Sequence, residues 1–325
     1  MPNPLPPSIT PHPPTIGIIG GGVSGLTTAI VLCEAGHDVT IWRRDPIAQS
    51  TSSVAAAVWH PFQAFPADKV LHWSGVTYAR LVALAADPTT GVVLQRGREF
   101  FRQPTPDPPW AGIGWFQHLA PAELPLDFVA GYAFEAPVAE TPRYLRYLIE
   151  RLARLGGRIV DREIASLDEA LAETPVVINC AGLGGGPLAG DDSIYPIRGQ
   201  IVRLAPLPGA TFRFDEHGPG PITYIIPRGD GVICGGSVQP GVWDTAVDMP
   251  TAHAIHARAL VLMPELAGLP ILEHKVGLRP GRPAVRVERE ARADGVVIHN
   301  YGHGGSGYTV SWGCAEDVLS MLINA

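Results

Sequence analysis

The chain has 325 residues, 46% of them hydrophobic and 17% charged, which is enough for a substantial core and two domains. Its formal net charge of -7 and the lack of a long basic block argue against nucleic-acid binding. No stretch reaches the roughly 18 consecutive apolar residues of a membrane span, so the chain is expected to stay in water.

Met1 to Pro14 is proline-rich and aperiodic and reads as a flexible tail. The run Thr15-Ile16-Gly17-Ile18-Ile19 is a short apolar strand, followed by the turn Gly20-Gly21-Gly22-Val23-Ser24-Gly25 and a helix from Ser24 to Ala35 that stops at Gly36. That order makes a phosphate site. Gly20 permits the tight turn, Gly22 lets a pyrophosphate approach bare backbone, and Gly25 lets helix and strand pack closely. The N–H groups of the first helical turn then face the phosphates. His37 to Trp42 reads as the second strand, and Arg43-Arg44-Asp45 follows it where the adenosine end of a dinucleotide lies. Asp45 suits a ribose hydroxyl, while Arg44 suits adenine, the ribose or the extra phosphate of a phosphorylated nicotinamide cofactor. The fingerprint says dinucleotide and leaves its identity open.

From Ser50 to Phe62 small residues crowd ahead of Trp59 and Pro61, which fits either close approach of a cofactor or simple helix packing. A helix is expected over Val70 to Leu84, strands within Gly91 to Phe101, and a loop at Pro104 to Pro109. Trp110, Trp115, Phe116, Tyr132 and Phe134 read as a second small core or a pocket lining. Thr141-Pro142 opens a helix, with threonine as its cap, that Gly156-Gly157 ends. Strands follow at Arg158 to Ile164 and Pro175 to Cys180, the latter running into a turn at Gly182, so the doubly wound pattern resumes. Arg198 to Leu204, Thr223 to Arg228 and Gly231 to Gly236 are strands of an antiparallel roof.

Gly295 to Tyr301 is a last strand, and Gly302-His303-Gly304-Gly305-Ser306-Gly307-Tyr308-Thr309 is a second glycine turn before a helix ending near Ile323. Two sets of backbone donors placed before helices favour a flavin over a nicotinamide, because an isoalloxazine ring needs support at both ends. Arg286 follows the proline-broken run from Arg279 and is read either as a guanidinium facing a substrate carboxylate or as a surface ion pair. The Tyr224 hydroxyl is read as a partner of the same carboxylate or as a cap on a sheet edge. No histidine or carboxylate has a forced place as acid or base, and His303 is assigned to packing or hydrogen bonding. Cys33, Cys180, Cys234 and Cys314 have no paired spacing and read as buried free thiols, and no metal is expected.

Gly20 to Gly25, Val54-Ala55-Ala56-Ala57-Val58-Trp59-His60-Pro61, Tyr195 to Gln200, Thr223 to Pro227, Val276 to Pro280 through Arg286, and Asn300 to Gly307, in this order, resemble the D-amino-acid oxidase family, which includes D-aspartate oxidase. The resemblance implies an α/β fold, a Rossmann-like FAD-binding domain with an inserted mixed-sheet substrate domain. The segments are then 15–75, 141–196 and 287–325 for FAD, and 76–140 and 197–286 for substrate. It implies oxidation of a D-amino acid, here one with a neutral side chain, to a 2-oxo acid and ammonia, with oxygen reduced to hydrogen peroxide. D-aspartate or glycine oxidation and an FAD-dependent amino-acid dehydrogenase are the alternatives; Arg213, Arg228 or His217 would face an acidic side chain.

By the same resemblance Arg286 and Tyr224 bind the substrate carboxylate and Gly305 offers a carbonyl to the amine. The cofactor would lie against Gly20, Gly22, Val23, Ser24, Gly25, Arg43, Arg44, Asp45, Ser52, Ser53, Ala56, Ala57, Trp59, Gly182, Gly304, Gly305, Gly307, Tyr308 and Thr309. The lid tyrosine of the animal enzymes falls near Gly220, so a shorter lid is expected. The end Met321 to Ala325 lacks a peroxisomal address, which leads to the expectation of a cytoplasmic enzyme, as a monomer or a homo-oligomer.

Overall fold

The structure, a computed structural model, describes residues 15–61, 64–216 and 221–323. The first of its two sheets is six-stranded: β1 (Ile16–Ile19), β2 (Val39–Arg43), β6 (Arg158–Asp161), β7 (Val176–Asn179), β14 (Arg286–Arg292) and β15 (Gly295–Tyr301) lie in the order β14-β15-β7-β1-β2-β6. All its pairs are parallel except the edge pair β14 and β15. Strands buried on both faces need apolar residues at every position. Ile18 accordingly feeds the core under helices α1 (Val23–Glu34) and α8 (Gly307–Ile323), and its neighbour Ile19 feeds a separate core with α5 (Leu167–Leu171).

The second sheet is nine-stranded: β3 (Val92–Phe101), β4 (Phe116–His118), β5 (Ala130–Ala139), β8 (Tyr195–Leu204), β9 (Arg213–Asp215), β10 (Thr223–Arg228), β11 (Gly231–Gly235) and β12 (Gln239–Pro240) run in the order β12-β8-β11-β10-β9-β3-β5-β4, with β13 (Ile271–Gly281) also pairing β8. It is mixed, because β3 and β9 run parallel while the other pairs are antiparallel. The hairpin expected around Gly229-Asp230 forms, with Arg228 opposite Gly231. One face of this sheet is covered by α7 (Met249–Leu262), a helix missing from the sequence reading, capped where the Asp248 carboxylate accepts the Thr251 N–H. The first sheet is Rossmann-like, and the second is a mixed sheet inserted into it.

Several local expectations change. Residues Met1 to Pro14 lie outside the described residues. The segment boundaries after 75 and 196 fall inside continuous elements, α3 (Ala67–Ala85) and β8. In α4 (Thr141–Arg154) the cap is Glu140, and the Thr141 hydroxyl instead donates to the Ser53 carbonyl. Of the aromatic group, Trp110, Tyr132 and Phe134 are core. Cys180, Cys234 and Cys314 are buried free thiols, and Cys33 is half-buried and free. Among the described residues no helix is long and apolar enough to cross a membrane.

Candidate active site

Three turns lie side by side at the carboxyl ends of the parallel strands, because β15, β7 and β1 are neighbours in the sheet. In open α/β sheets this rim is where ligands bind. Gly20 leaves β1 with φ +110°, and a Cβ there would sit 2.4 Å from the Cys180 carbonyl oxygen. A Cβ on Gly25 would lie 1.9 Å from the Gly20 oxygen, so the tight turn and the close start of α1 both require glycine. Gly22 caps α1 without a side-chain bond, and the Ser52 hydroxyl accepts the Val23 N–H at 3.0 Å. The Ser24 hydroxyl reaches the Asn300 carbonyl at 3.4 Å and so links the first and last turns. Gly182 and Gly304 border open space instead: a Cβ on either would meet no atom within 4 Å.

The rim between these turns is held by α2 (Thr51–Val54) and the segment after it. Tyr308, buried at the start of α8, donates its hydroxyl to the Ser52 carbonyl at 2.8 Å, beside Gly307. Ser53 donates to the Ala48 and Ser50 carbonyls, each at 2.8 Å. Arg228 spans from the Asp230 carboxylate to the Ala55 carbonyl at 3.0 Å and the Ala56 carbonyl at 3.5 Å, and Ala57 takes φ +61°. The side chains of two expected cofactor contacts are engaged elsewhere. Trp59 turns its ring into the core, where its indole N–H donates to the Ser74 carbonyl at 2.9 Å and its backbone N–H to Pro137 at 2.8 Å. The Thr309 hydroxyl is committed to the backbone of His60, accepting its N–H at 3.2 Å and donating to its carbonyl at 3.1 Å. At the adenosine end, Arg43 lies over Gly21 and pairs with Asp161 on β6, while exposed Arg44 and Asp45 pair with each other at 2.8 Å.

The roof supplies side chains, and the register of its strands selects them. Tyr224 on β10 stands directly opposite Gly235 on β11, and its ring lies where a Cβ on Gly235 would come within 2.0 Å. Gly277 on β13 faces Gly199 on β8, and the Arg279 guanidinium folds over Gly199, 2.2 Å from where its Cβ would be. Two glycines thus clear the floor, and the Arg279 cation lies near enough to the Tyr224 hydroxyl to act on its pKa. Burial raises the Tyr224 pKa; Arg279 opposes that rise and Glu216 adds to it. Arg279 also donates to the Ser237 carbonyl at 3.3 Å, yet among the described residues no carboxylate pairs with it. The last glycine turn docks on the same strand: the Gly304 N–H donates to the Pro280 carbonyl at 2.8 Å, and the Arg279 Cδ lies 3.8 Å from the Cβ position of Gly305.

Arg286 is elsewhere, and its expected role is corrected. It opens β14 in the first sheet, donating to the Tyr301 hydroxyl at 2.7 Å and to Glu288 at 3.0 Å, with Asp191 at 3.8 Å and Glu290 at 3.9 Å. A guanidinium already matched by carboxylates has little left for a substrate, whereas Arg279 carries an unmatched charge beside a polarised phenol. Three arginines stand in the run 279–286, and local pattern cannot separate them. The signal is the glycine opposite or beneath each side chain, Gly199 and Gly235, which the pairings of β8 with β13 and of β10 with β11 expose.

The expected cations for an acidic side chain do not face this space. Arg213 alternates with the buried Phe214 and pairs with Glu265 at 2.8 Å, beside a cavity of about 400 Å³ lined also by Arg96, Arg98 and Trp115 on the other face of the sheet. Arg228 is committed to Asp230, and His217, like the expected lid position Gly220, lies outside the described residues. His303 is buried and bonded to the Asn300 side chain at 2.9 Å, and burial pushes its pKa down to about 4, which suits packing rather than proton transfer. His60, Glu99 and Glu216 present ligand atoms within 4.8 Å of one another, but burial notwithstanding the two carboxylates raise the His60 pKa, an ion-pair arrangement that engages both ring nitrogens.

The model of the family described as FAD dependent oxidoreductase matches residues 15–321. A D-amino-acid oxidase from Rubrobacter xylanophilus is 46% identical over 307 residues, covering 94% of each chain. Human D-aspartate oxidase is 36% identical over 324 residues, covering 94% of each. The solved glycine oxidase of Geobacillus kaustophilus superposes with a TM-score of 0.78 at 20% identity, covering 97% of this chain and 95% of that one, a likeness of fold. FAD is the cofactor, and the residues present fit it: the glycine turns expose backbone donors, and Gly182 and Gly304 leave room beside them. With that cofactor rim facing an arginine and a tyrosine across one cleft, the chain belongs to the FAD dependent oxidoreductase family and to its D-amino-acid-oxidase-like members.

Proposed function

We propose that this enzyme oxidises D-amino acids with neutral side chains to 2-oxo acids, with release of ammonia and hydrogen peroxide. The observation that carries the reading is Arg279, a cation without a carboxylate partner among the described residues, acting on the Tyr224 hydroxyl and next to Gly305. Arg279 grips the substrate carboxylate through paired N–H donors, and the Tyr224 hydroxyl adds a third bond and fixes its tilt. The Gly305 carbonyl, on the turn tied to Pro280, accepts the amine. Bound FAD supplies the acceptor for the α-hydrogen and its electron pair, and oxygen takes those electrons on as hydrogen peroxide. Water then hydrolyses the imino acid. The residues' task is alignment, since among the described residues His303 beside the turn is held neutral by burial and bonded to Asn300.

The test is anaerobic flavin absorbance of the purified protein with D-alanine, D-methionine, D-phenylalanine, D-aspartate and glycine, with L-enantiomers as controls. Bleaching by the neutral D-amino acids alone is the expected result. Flavin that stays oxidised across the panel rejects the reading, and comparable efficiency on D-aspartate rejects its neutral preference. In air, less than one peroxide per substrate consumed would favour a dehydrogenase that passes electrons to another carrier.

A further inference from the structure

The cluster of His60, Glu99 and Glu216 is built with more care than a packed core needs. The imidazole lies between two carboxylates, its Nε2 3.4 Å from Glu99 and its Nδ1 3.5 Å from Glu216. The ring stacks on Phe214 at 4.8 Å and 12°, and Trp110 closes its edge. Tyr132 donates its hydroxyl to Glu99 at 2.6 Å, and Thr309 holds the His60 backbone at both its N–H and its carbonyl. The cluster is thereby fixed to the first turn of α8, behind the glycine turn of the cofactor rim.

Its other end faces the roof. Phe214 on β9 pairs directly with Tyr224 on β10, and Glu216, two residues along, falls on the same face. The Glu216 side chain is 6% exposed and adds to the rise of the Tyr224 pKa. A side chain extending from the Arg279 and Tyr224 anchor along this face therefore meets a buried carboxylate that His60 holds in place. In such surroundings a charge acts on a neighbouring charge more strongly than in water.

We propose that Glu216, oriented by His60, reads the charge of the substrate side chain, so that the enzyme accepts D-amino acids ending in a cation alongside apolar ones and rejects those ending in a carboxylate. This rests on the D-amino-acid reading above and widens its substrates from neutral side chains to cationic ones. The experiment measures peroxide release by the holoenzyme with two nearly isosteric pairs, D-lysine against D-norleucine and D-glutamate against D-glutamine, in the wild type and in Glu216→Gln. In the wild type the kcat/KM of D-glutamate is expected to lie about 100-fold or more below that of D-glutamine, with D-lysine at least equal to D-norleucine. In Glu216→Gln the D-lysine to D-norleucine ratio is expected to fall about tenfold and the D-glutamate to D-glutamine ratio to rise about tenfold.

Ratios that do not move in Glu216→Gln overturn the proposal while leaving the oxidase reading intact. A wild type that prefers D-glutamate to D-glutamine overturns it without any variant, which covers a Glu216→Gln protein that does not fold. Oxidation of none of the four substrates overturns the oxidase reading and this inference with it.

Discussion

The two faces of the cleft are made from different material. The parallel sheet offers backbone: glycine turns at the ends of β1, β7 and β15, with N–H groups and empty space where side chains would stand. The roof offers side chains, Tyr224 and Arg279, laid flat over Gly235 and Gly199 so that they meet above two intervening strands. Glycine serves opposite ends in the two places. At the rim it lets a ligand approach the main chain, and in the roof it lets two of the protein's own side chains lie down. Damage to the rim is therefore expected to cost cofactor and fold together, whereas damage to the roof costs catalysis in a protein that keeps its flavin.

The largest effect is expected at Gly25. Gly25→Ala forces a methyl into the Gly20 carbonyl at the start of α1. Overpacking of about 1–3 kcal/mol or more combines there with a blocked phosphate turn, so the purified protein should carry little FAD by absorbance and melt early. A Gly25→Ala protein with full flavin content would break the contrast.

Next comes Arg279→Lys, expected to lower kcat/KM for D-amino acids by about 100-fold or more, because an ammonium cannot make the paired bonds to a carboxylate. Its flavin spectrum should be that of the wild type. Arg286→Gln is the counterpart: kcat/KM should change less than about threefold, while the lost network with Tyr301, Glu288 and Asp191 lowers stability by about 1–3 kcal/mol, read as a drop in Tm. If Arg286→Gln loses activity as Arg279→Lys does, the assignment of the anchoring arginine is wrong.

Gly235→Ala sharpens the comparison within the roof. Its methyl would occupy the place of the Tyr224 ring, so the hydroxyl must move off the substrate carboxylate. A loss of about tenfold in kcat/KM is expected, similar to Tyr224→Phe, as befits one hydrogen bond to a charged group.

The smallest effect concerns pH. The folded pKa of His303 is about 4, below its ordinary value of about 6.5 in the unfolded chain. Between these values the unfolded state binds the extra proton, so stability is full above about pH 6.5 and falls as pH drops toward 4. His303→Asn should flatten that part of the Tm-against-pH curve, and an unchanged slope would assign the acid sensitivity to other groups.

Much of the rim was legible in sequence. Gly20 to Gly25, Gly182 and Gly302 to Gly307 each sit between a strand and a helix that are contiguous with them, so strand, turn and helix start can be read from one short window. The direction of the Trp59 ring is not legible, because a small-residue run says that something packs closely and not which way the next ring points. Thr309 shows the same limit for a hydroxyl, which the backbone of His60 claims from far along the chain. Helix α7 escaped because its apolar residues give only a weak stripe, and Glu216 and His60 escaped because nothing in their neighbourhoods announces the other.

The sequence by itself determined the order of elements, the dinucleotide rim and the likeness to an FAD enzyme, since backbone chemistry at a turn depends on residues adjacent in the chain. Tertiary structure alone decided which of three nearby arginines faces the cleft. That choice rests on the register of β13 against β8, where a one-residue slip would turn Arg279 to the opposite face, and register is settled by pairing between distant segments.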